Sequence, residues 1–186
     1  MKVVNLKNNL KAKIKLSENE DLSSLFAYDE NNKIVGFCHF ACFHIYSKPA
    51  PENFRINYSK KHNIPLEQVK KVYNYKINVN KTKEYTTHEN TLTLTNGKSF
   101  NFENTICQIA EIEITDDRYF QVGLGTAMLN ETLKIAQKHN CKLIKGKYLP
   151  KGNYQFGTQQ FYKRNGFKFE NEDNETIIIK TLDYDL

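Results

Sequence analysis

The feature that most constrains this chain is Gln121-Val122-Gly123-Leu124-Gly125-Thr126-Ala127-Met128-Leu129, a glycine pair set between two segments of different periodicity. Upstream, Ile106-Cys107-Gln108-Ile109-Ala110-Glu111-Ile112-Glu113-Ile114 is apolar and β-branched and reads as a buried strand. Downstream, Leu124 to Asn140 reads as a helix, with Leu129, Leu133 and Ala136 at i, i+4 and i+7 and Met128 and Ile135 beside them. Glycine at such a junction permits unusual dihedrals and lets a ligand come close to the main chain. The first N–H groups of a helix lack internal partners, and the dipole makes that end positive. The stretch therefore predicts an anion site, most often one for phosphate.

Two common phosphate patterns do not fit. The dinucleotide fingerprint places a third glycine or alanine where Met128 stands, and the phosphate-loop pattern needs Gly-Lys-Ser/Thr. The spacing instead resembles the coenzyme A loop of the GNAT superfamily of acetyl-CoA-dependent N-acyltransferases. That loop reads Arg/Gln-x-x-Gly-x-Gly/Ala after a strand ending in a Leu-x-Val-like pattern. Ile112-Glu113-Ile114 takes the strand end, and Gly123 to Leu129 take the loop and helix start. The Arg/Gln position falls on Phe120, with Gln121 one residue late and Arg118 two early, and the connection is one residue longer than usual. The resemblance implies that Ile112, Ile114, Gln121, Val122, Gly123, Leu124, Gly125 and Thr126 hold acetyl-coenzyme A. A bulge, or a different side chain, then supplies the missing pyrophosphate contact.

Phe161-Tyr162-Lys163-Arg164-Asn165-Gly166-Phe167 resembles the family's late Phe-Tyr-x-x-x-Gly-Phe, a short helix ending at the glycine. Gly166 suits a helix C′ position, with Lys163 and Arg164 in a last turn that favours cations. The family's tyrosine matches Tyr162, which implies a general acid for the coenzyme A thiolate. Where the family often has Asn seven residues earlier, this chain has Gln155. Lys145 to Pro150 with Phe161-Tyr162 also resembles the acyltransferase-like domain of FkbH-type proteins. Acyl transfer to an amine needs a base. The family often uses a Glu on the strand before the loop, which makes Glu111 and Glu113 the candidates. A histidine of the middle segment, or His44, is the alternative.

The expected architecture is α/β: one GNAT-like domain over residues 1–186, a twisted mixed sheet with helices on both faces, and a helix-plus-hairpin insertion at about 44–104. Lys11 to Leu16 alternates as an early strand. Leu25–Tyr28 and Lys33–Phe40 flank Asp29-Glu30-Asn31-Asn32 as a β-hairpin. Only about two dozen residues precede that hairpin, too few for the family's strand and two acceptor-site helices at ~1.5 Å rise per residue. In the insertion, Pro65 with Leu66, Val69, Val72 and Tyr73 predicts a helix. Thr91 to Thr95, Asn96-Gly97 and Lys98 to Phe102 predict a hairpin. This helix and hairpin are expected to cover the acceptor. Cys141 to Gly146 reads as a parallel strand, and Phe167–Phe169 with Thr176–Lys180 reads as a closing hairpin across Glu172-Asp173-Asn174. In the family, the two parallel strands splay and the pantetheine arm lies in the gap.

A net charge of +6 suits an anionic ligand, and equally a basic surface open to solvent. Tyr58 to Pro65, and Tyr73, Tyr75 and Tyr85 beside Lys70, Lys71, Lys76, Lys81 and Lys83, give the aromatic-basic mixture of single-strand binders. A nucleic-acid-directed acyltransferase is thus a second reading, and a non-catalytic acyl-coenzyme A or carrier-protein module is a third. The acceptor is an amine on a small molecule or a protein, and a homodimer is one way to complete its site. Cys38, His39, Cys42 and His44 suggest a metal, but positions 38 and 42 of one strand lie ~13 Å apart, so no metal is expected. No apolar run approaches the ~20 residues of a membrane span, no signal peptide opens the chain, and the four cysteines sit in apolar strands. These observations predict a cytoplasmic protein with reduced thiols and no membrane contact.

Overall fold

The computed structural model describes residues 1–81, 85–88, 90–149, 155–172 and 175–182. Lys83, Pro150, the Asp173-Asn174 turn and the side chain of Gln155 lie outside the described residues. The elements, in chain order, are β1 (Lys2–Asn5), β2 (Lys11–Glu18), β3 (Ser23–Tyr28), β4 (Ile34–Pro49), α1 (Glu52–His62), β5 (Val72–Asn78), β6 (Tyr85–His88), β7 (Thr91–Leu94), β8 (Ser99–Asn101), β9 (Asn104–Ile114), α2 (Leu124–Lys138), β10 (Leu143–Lys147), α3 (Gln155–Arg164), β11 (Lys168–Glu172) and β12 (Glu175–Thr181).

The main sheet runs β1-β2-β3-β4-β9-β10-β12-β11, and β5 joins β4 on the edge that β3 leaves free. Its strand pairs are antiparallel except β9 with β10. β4 is the backbone of this arrangement. Its β-branched and aromatic residues favour an extended chain, and the strand continues past the expected Phe40 end to Pro49. Ile34–Phe40 pairs with β3, Phe43–Pro49 pairs with β5, and the other edge pairs with β9.

One sheet face carries both α2 and α3. Cys38, Phe40 and Cys42 of β4 and Cys107 and Ile109 of β9 are buried there with Leu124, Met128, Leu129 and Ala136 of α2. Leu129 is fully buried, so Leu129→Ala should cost about 2–5 kcal/mol. The helical spacing read for α2 is the spacing that packs. α3 ends as expected at Gly166, with Gly166 N–H donating to Lys163 O and Phe167 N–H to Tyr162 O. All four cysteines are buried, and none is joined in a disulfide. Burial raises the Cys38 thiol pKa to about 12, which keeps it protonated.

The insertion differs from expectation in two ways. Residues 65–73 do not form a helix: Leu66–Gln68 is a single 3₁₀ turn, and the alternating Val72-Tyr73-Asn74-Tyr75-Lys76-Ile77-Asn78 becomes β5. The helix lies earlier, at α1, which follows Pro51, begins with Glu52, ends in Lys60, Lys61 and His62, and stops at Asn63 in the left-handed region (φ 50). Its termini, not an apolar stripe, specify it, because none of its residues is buried. The second difference is location. β5 pairs with the Phe43–Pro49 half of β4, and Glu103 N–H donates to Ile45 O where the insertion rejoins the sheet. The insertion is therefore rooted at the Asn104 end of β9, some five residues, or roughly 17 Å, before the Ile109 level. The expected Thr91–Leu94/Ser99–Asn101 hairpin is present and, with β6, makes a separate three-stranded sheet.

Candidate functional site

The parallel pair β9–β10 is in register from Leu143↔Ile106 to Gly146↔Ile109 and then stops. β10 continues against β12 while β9 runs on to Ile114 against β4. Among the described residues, no strand pairs the far edge of β9 from Ala110 onward. The sheet therefore opens between two adjacent strands, as the resemblance implied.

A bulge sits at the same level. His39 of β4 pairs with Glu111 and Phe40 with Ile109, which leaves Ala110 as the extra residue on β9. Side chains alternate along a strand, so one added residue reverses the faces beyond it. Cys107 and Ile109 face the helices. In a regular strand Glu111 and Glu113 would join them in the core. The bulge instead turns Ile112 and Ile114 toward α2, opposite Cys38 and Gly36, and places both carboxylates on the other face. Glu111 is half-buried there and Glu113 is exposed. The sequence left open a bulge that would decide which face Glu111 and Glu113 meet, and the Ala110 bulge decides it.

The loop after β9 passes a 3₁₀ turn at Asp117–Tyr119 and reaches Gln121 (φ 58) and Gly123 (φ 102), both left-handed. At Gly123, the N-cap of α2, that dihedral excludes a side chain without strain. A Cβ at Gly123 would meet nothing within 4 Å, so the space beside the first turn of α2 is open. Gly125 has a different role. A Cβ there would lie 3.2 Å from Cε2 of Phe161, so Gly125 lets α3 rest on the first turn of α2.

The cations near the loop differ in availability. Arg118 makes a two-point contact with Asp116, Nε–Oδ1 3.0 Å and Nη2–Oδ2 2.9 Å, and lies 3.6 Å from Asp29. It is therefore not free to replace the absent Arg/Gln. Lys7, which the sequence did not single out, donates its backbone N–H to Val122 O at 3.0 Å, which sets an exposed lysine beside the loop. The contact comes from β1 and β2 folding back on each other, a pairing invisible at the level of motifs.

Tyr162 of α3 is buried among Phe161, 5.0 Å between ring centroids, and Phe167, 5.5 Å. Burial, with lesser contributions from Cys38 and Tyr148, pushes its phenol well above the usual tyrosine range. Tyr162 belongs to the buried cluster on the helix face that also contains Cys38, and Cys38 is opposite Ile112 of β9. His44 is remote from that pair. It is buried at the insertion end, with Nδ1 2.9 Å from Thr105 Oγ1 and its ring 4.4 Å from Phe102. Another polar contact that no motif foreshadowed is Ser24 Oγ to His39 Nδ1, 2.8 Å. Its signal was the strand alternation, which places Ser24 and His39 on one face once β3 and β4 are paired.

No model of a protein family matches the sequence, and no curated protein matches it at the sequence level. Comparison of folds does find solved structures. A PaiA N-acetyltransferase from Thermoplasma acidophilum in complex with coenzyme A is 14% identical, with 86% of this chain and 60% of that chain covered and a TM-score of 0.43. NAA60 from Arabidopsis thaliana in complex with a bisubstrate analogue is 11% identical, with 89% and 79% covered and a TM-score of 0.49. A GNAT-family acetyltransferase from Staphylococcus aureus is 12% identical, with 89% and 71% covered and a TM-score of 0.44. Each of these alignments has a TM-score below 0.5. The chain spans 60% of the length of the Thermoplasma protein. No described helix is long and apolar enough to cross a membrane.

Proposed function

We propose that this chain is an N-acyltransferase that uses acetyl-coenzyme A as donor and an amine as acceptor. One observation carries the reading: the sheet opens between parallel β9 and β10 beside a helix N-terminus whose cap residue is Gly123. The donor set fits the ligand. The first N–H groups of α2 and the side chain of Lys7 suit a pyrophosphate, and the stretch of β9 past its pairing with β10 lies where the amide-bearing pantetheine arm would run.

The chain's own residues divide the work across the sheet. Tyr162 lies on the helix face and Glu111 on the other. A thiol ordinarily titrates near 8.5 and a phenol near 10, and burial raises Tyr162 further. Tyr162 is thus a weaker acid than the departing thiol. It donates a hydrogen bond to the sulfur as charge builds there, more than it delivers a proton outright. Of the two carboxylates, half-buried Glu111 is the one placed to act on an incoming ammonium group, and exposed Glu113 is the outer neighbour.

Coenzyme A should raise the melting temperature of the purified protein by mass action. Acetyl-coenzyme A with a panel of primary amines, polyamines, amino sugars and peptides should release thiol. Tyr162→Phe should lower kcat about 10²-fold with coenzyme A stabilisation kept. A melting temperature indifferent to coenzyme A would overturn the proposal.

A further inference from the structure

On the sheet face away from α2 and α3, three polar residues form a row across three strands. Ser24 of β3 is opposite His39 of β4, and His39 is opposite Glu111 of β9. Directly opposed residues have Cβ atoms about 4.5–5.5 Å apart. The next step along the row, past β9, is the opening between β9 and β10. Only the Ala110 bulge puts Glu111 on this face; without it the row would end at His39.

The imidazole is held on several sides. Its Nδ1 lies 2.8 Å from Ser24 Oγ. Phe37 packs at 4.7 Å between centroids, and Phe26 stands edge-on at 6.0 Å. The two ring nitrogens point in roughly opposite directions, so commitment of Nδ1 to the β3 side leaves Nε2 on the β9 side. A serine hydroxyl both donates and accepts. It can bond Nδ1 when the ring is neutral and accept from Nδ1–H when the ring is protonated, so His39 can change charge without losing its anchor. A base oriented by one neighbour and flanked by a carboxylate is the arrangement that proton transfer requires.

We propose that His39, anchored by Ser24 and flanked by Glu111, accepts the proton of the attacking amine. This rests on the acyltransferase reading above. The amine nitrogen crosses the face at Glu111 and forms its bond to the acyl carbon, while the C–S bond breaks and the electron pair leaves on sulfur. The amine proton passes to Nε2 of His39, directly or through one water. The thiolate accepts its hydrogen bond from Tyr162 and later a proton from solvent. Glu111 stabilises the imidazolium. Among the described residues, the titratable groups near His39 on this face include Glu111 directly opposite, Glu113 opposite Phe37, Lys15 opposite Phe26, the opposed pair Tyr28 and Lys13, and Lys76 of β5, whose Nζ lies 2.9 Å from Oε1 of Gln108, the residue opposite Ala41.

The test is the pH dependence of kcat/KM on the best amine of the panel. Wild type should show an acid limb, where the base is protonated and cannot accept the amine proton. His39→Gln should lower kcat about 10²-fold, remove that limb and leave coenzyme A stabilisation intact. Glu111→Gln should keep the limb and move it to lower pH, because a carboxylate that favours the imidazolium is gone. Added imidazole should restore part of the activity of His39→Ala. The reverse pattern, with the limb lost in Glu111→Gln and kept in His39→Gln, overturns the proposal and assigns the base to Glu111. Full activity of His39→Gln overturns it as well. Wild type that binds coenzyme A and transfers to none of the amines overturns the acyltransferase reading, and His39's role with it. If His39→Gln fails to fold, the His39 ring proton resonance in wild type and Glu111→Gln gives the answer: an unchanged titration midpoint overturns the pairing.

Discussion

Phe161 of α3 stands over Gly125 of α2, its Cε2 3.2 Å from where a Cβ on that glycine would lie. The contact couples the loop that begins α2 to the helix carrying Tyr162, one residue on. Tyr162 therefore takes its place in part from the absence of a side chain at Gly125.

A substituent at Gly125 should act through α3 before it acts on a ligand. Gly125→Ala should lower stability by about 1 kcal/mol, and Gly125→Val by about 1–3 kcal/mol, as overpacking does. Both should lower kcat more than coenzyme A affinity, because Tyr162 moves with Phe161. Adding Phe161→Leu to Gly125→Ala should recover most of the lost melting temperature. If Gly125→Ala abolishes coenzyme A stabilisation with its melting temperature unchanged, the glycine serves the ligand and not the helix contact.

His44 should make the fold sensitive to mild acid. Burial, with the nearby charge of His139, lowers its pKa to about 4 from an ordinary value near 6.5. The unfolded chain then binds the proton more tightly than the folded one. The contribution of His44 to stability is complete above about pH 6.5 and is lost as the pH falls toward 4. The melting temperature should drop by several degrees across that window, and His44→Gln should flatten the drop. An equal slope in the variant would assign the acid sensitivity to other groups.

How much of this was legible depended on whether the signal was local. The strand at Ile106–Ile114, helix α2, the Gly166 stop and the Asn96-Gly97 turn each carry their cause within a few residues, and each is found where the sequence placed it. The extent of β4 past Phe40 was not legible, because a run buried on both faces shows no alternation to mark its partners. α1 carries no apolar stripe that periodicity could reveal; charge and its end caps define it. Val72 and Tyr73 fit a helical spacing and a strand spacing alike, and pairing with β4 decided between them. The Ala110 bulge depends on how β9 meets β4, so no single-strand pattern could say which face Glu111 would take. The Lys7 contact and the Ser24–His39 pair arise from strands paired in space, and they became visible only with the register.

Lys7 should matter for the anion. Its backbone is fixed to Val122 at the base of the loop, and its side chain is exposed. Lys7→Glu should weaken coenzyme A binding about tenfold at low salt, an energy of about 1.4 kcal/mol. The difference should shrink at about 1 M salt, where the screening length falls to about 3 Å. Dephospho-coenzyme A should reveal which phosphate the lysine meets, through a smaller or an equal effect. Identical affinities for Lys7→Glu and wild type at low salt would leave the pyrophosphate to main-chain groups alone.

Arg118 gives the opposite expectation, although it is closer to the sequence position where the family's Arg/Gln belongs. Its guanidinium is committed to Asp116, with Asp29 behind it and Lys33 also 3.6 Å from Asp116. Asp29 in turn accepts from the N–H groups of Asn31 and Lys33, which shapes the β3–β4 turn. The cluster joins that turn to the segment entering the loop. The Arg118 contact holds the Asp116 carboxyl far below its ordinary range. A carboxyl with a depressed folded pKa stabilises the fold above the ordinary carboxylate pKa of about 4 and ceases to do so as pH falls below it. Arg118→Ala should therefore lower the melting temperature at pH 7, and the gap to wild type should narrow as the pH falls through the carboxylate range. Coenzyme A affinity, measured where the variant is fully folded, should stay within about twofold of wild type, since no anion contact is lost. A tenfold loss of affinity in Arg118→Ala, with Lys7→Glu unchanged, would exchange the roles of the two cations and mean that the guanidinium leaves Asp116 when the pyrophosphate arrives.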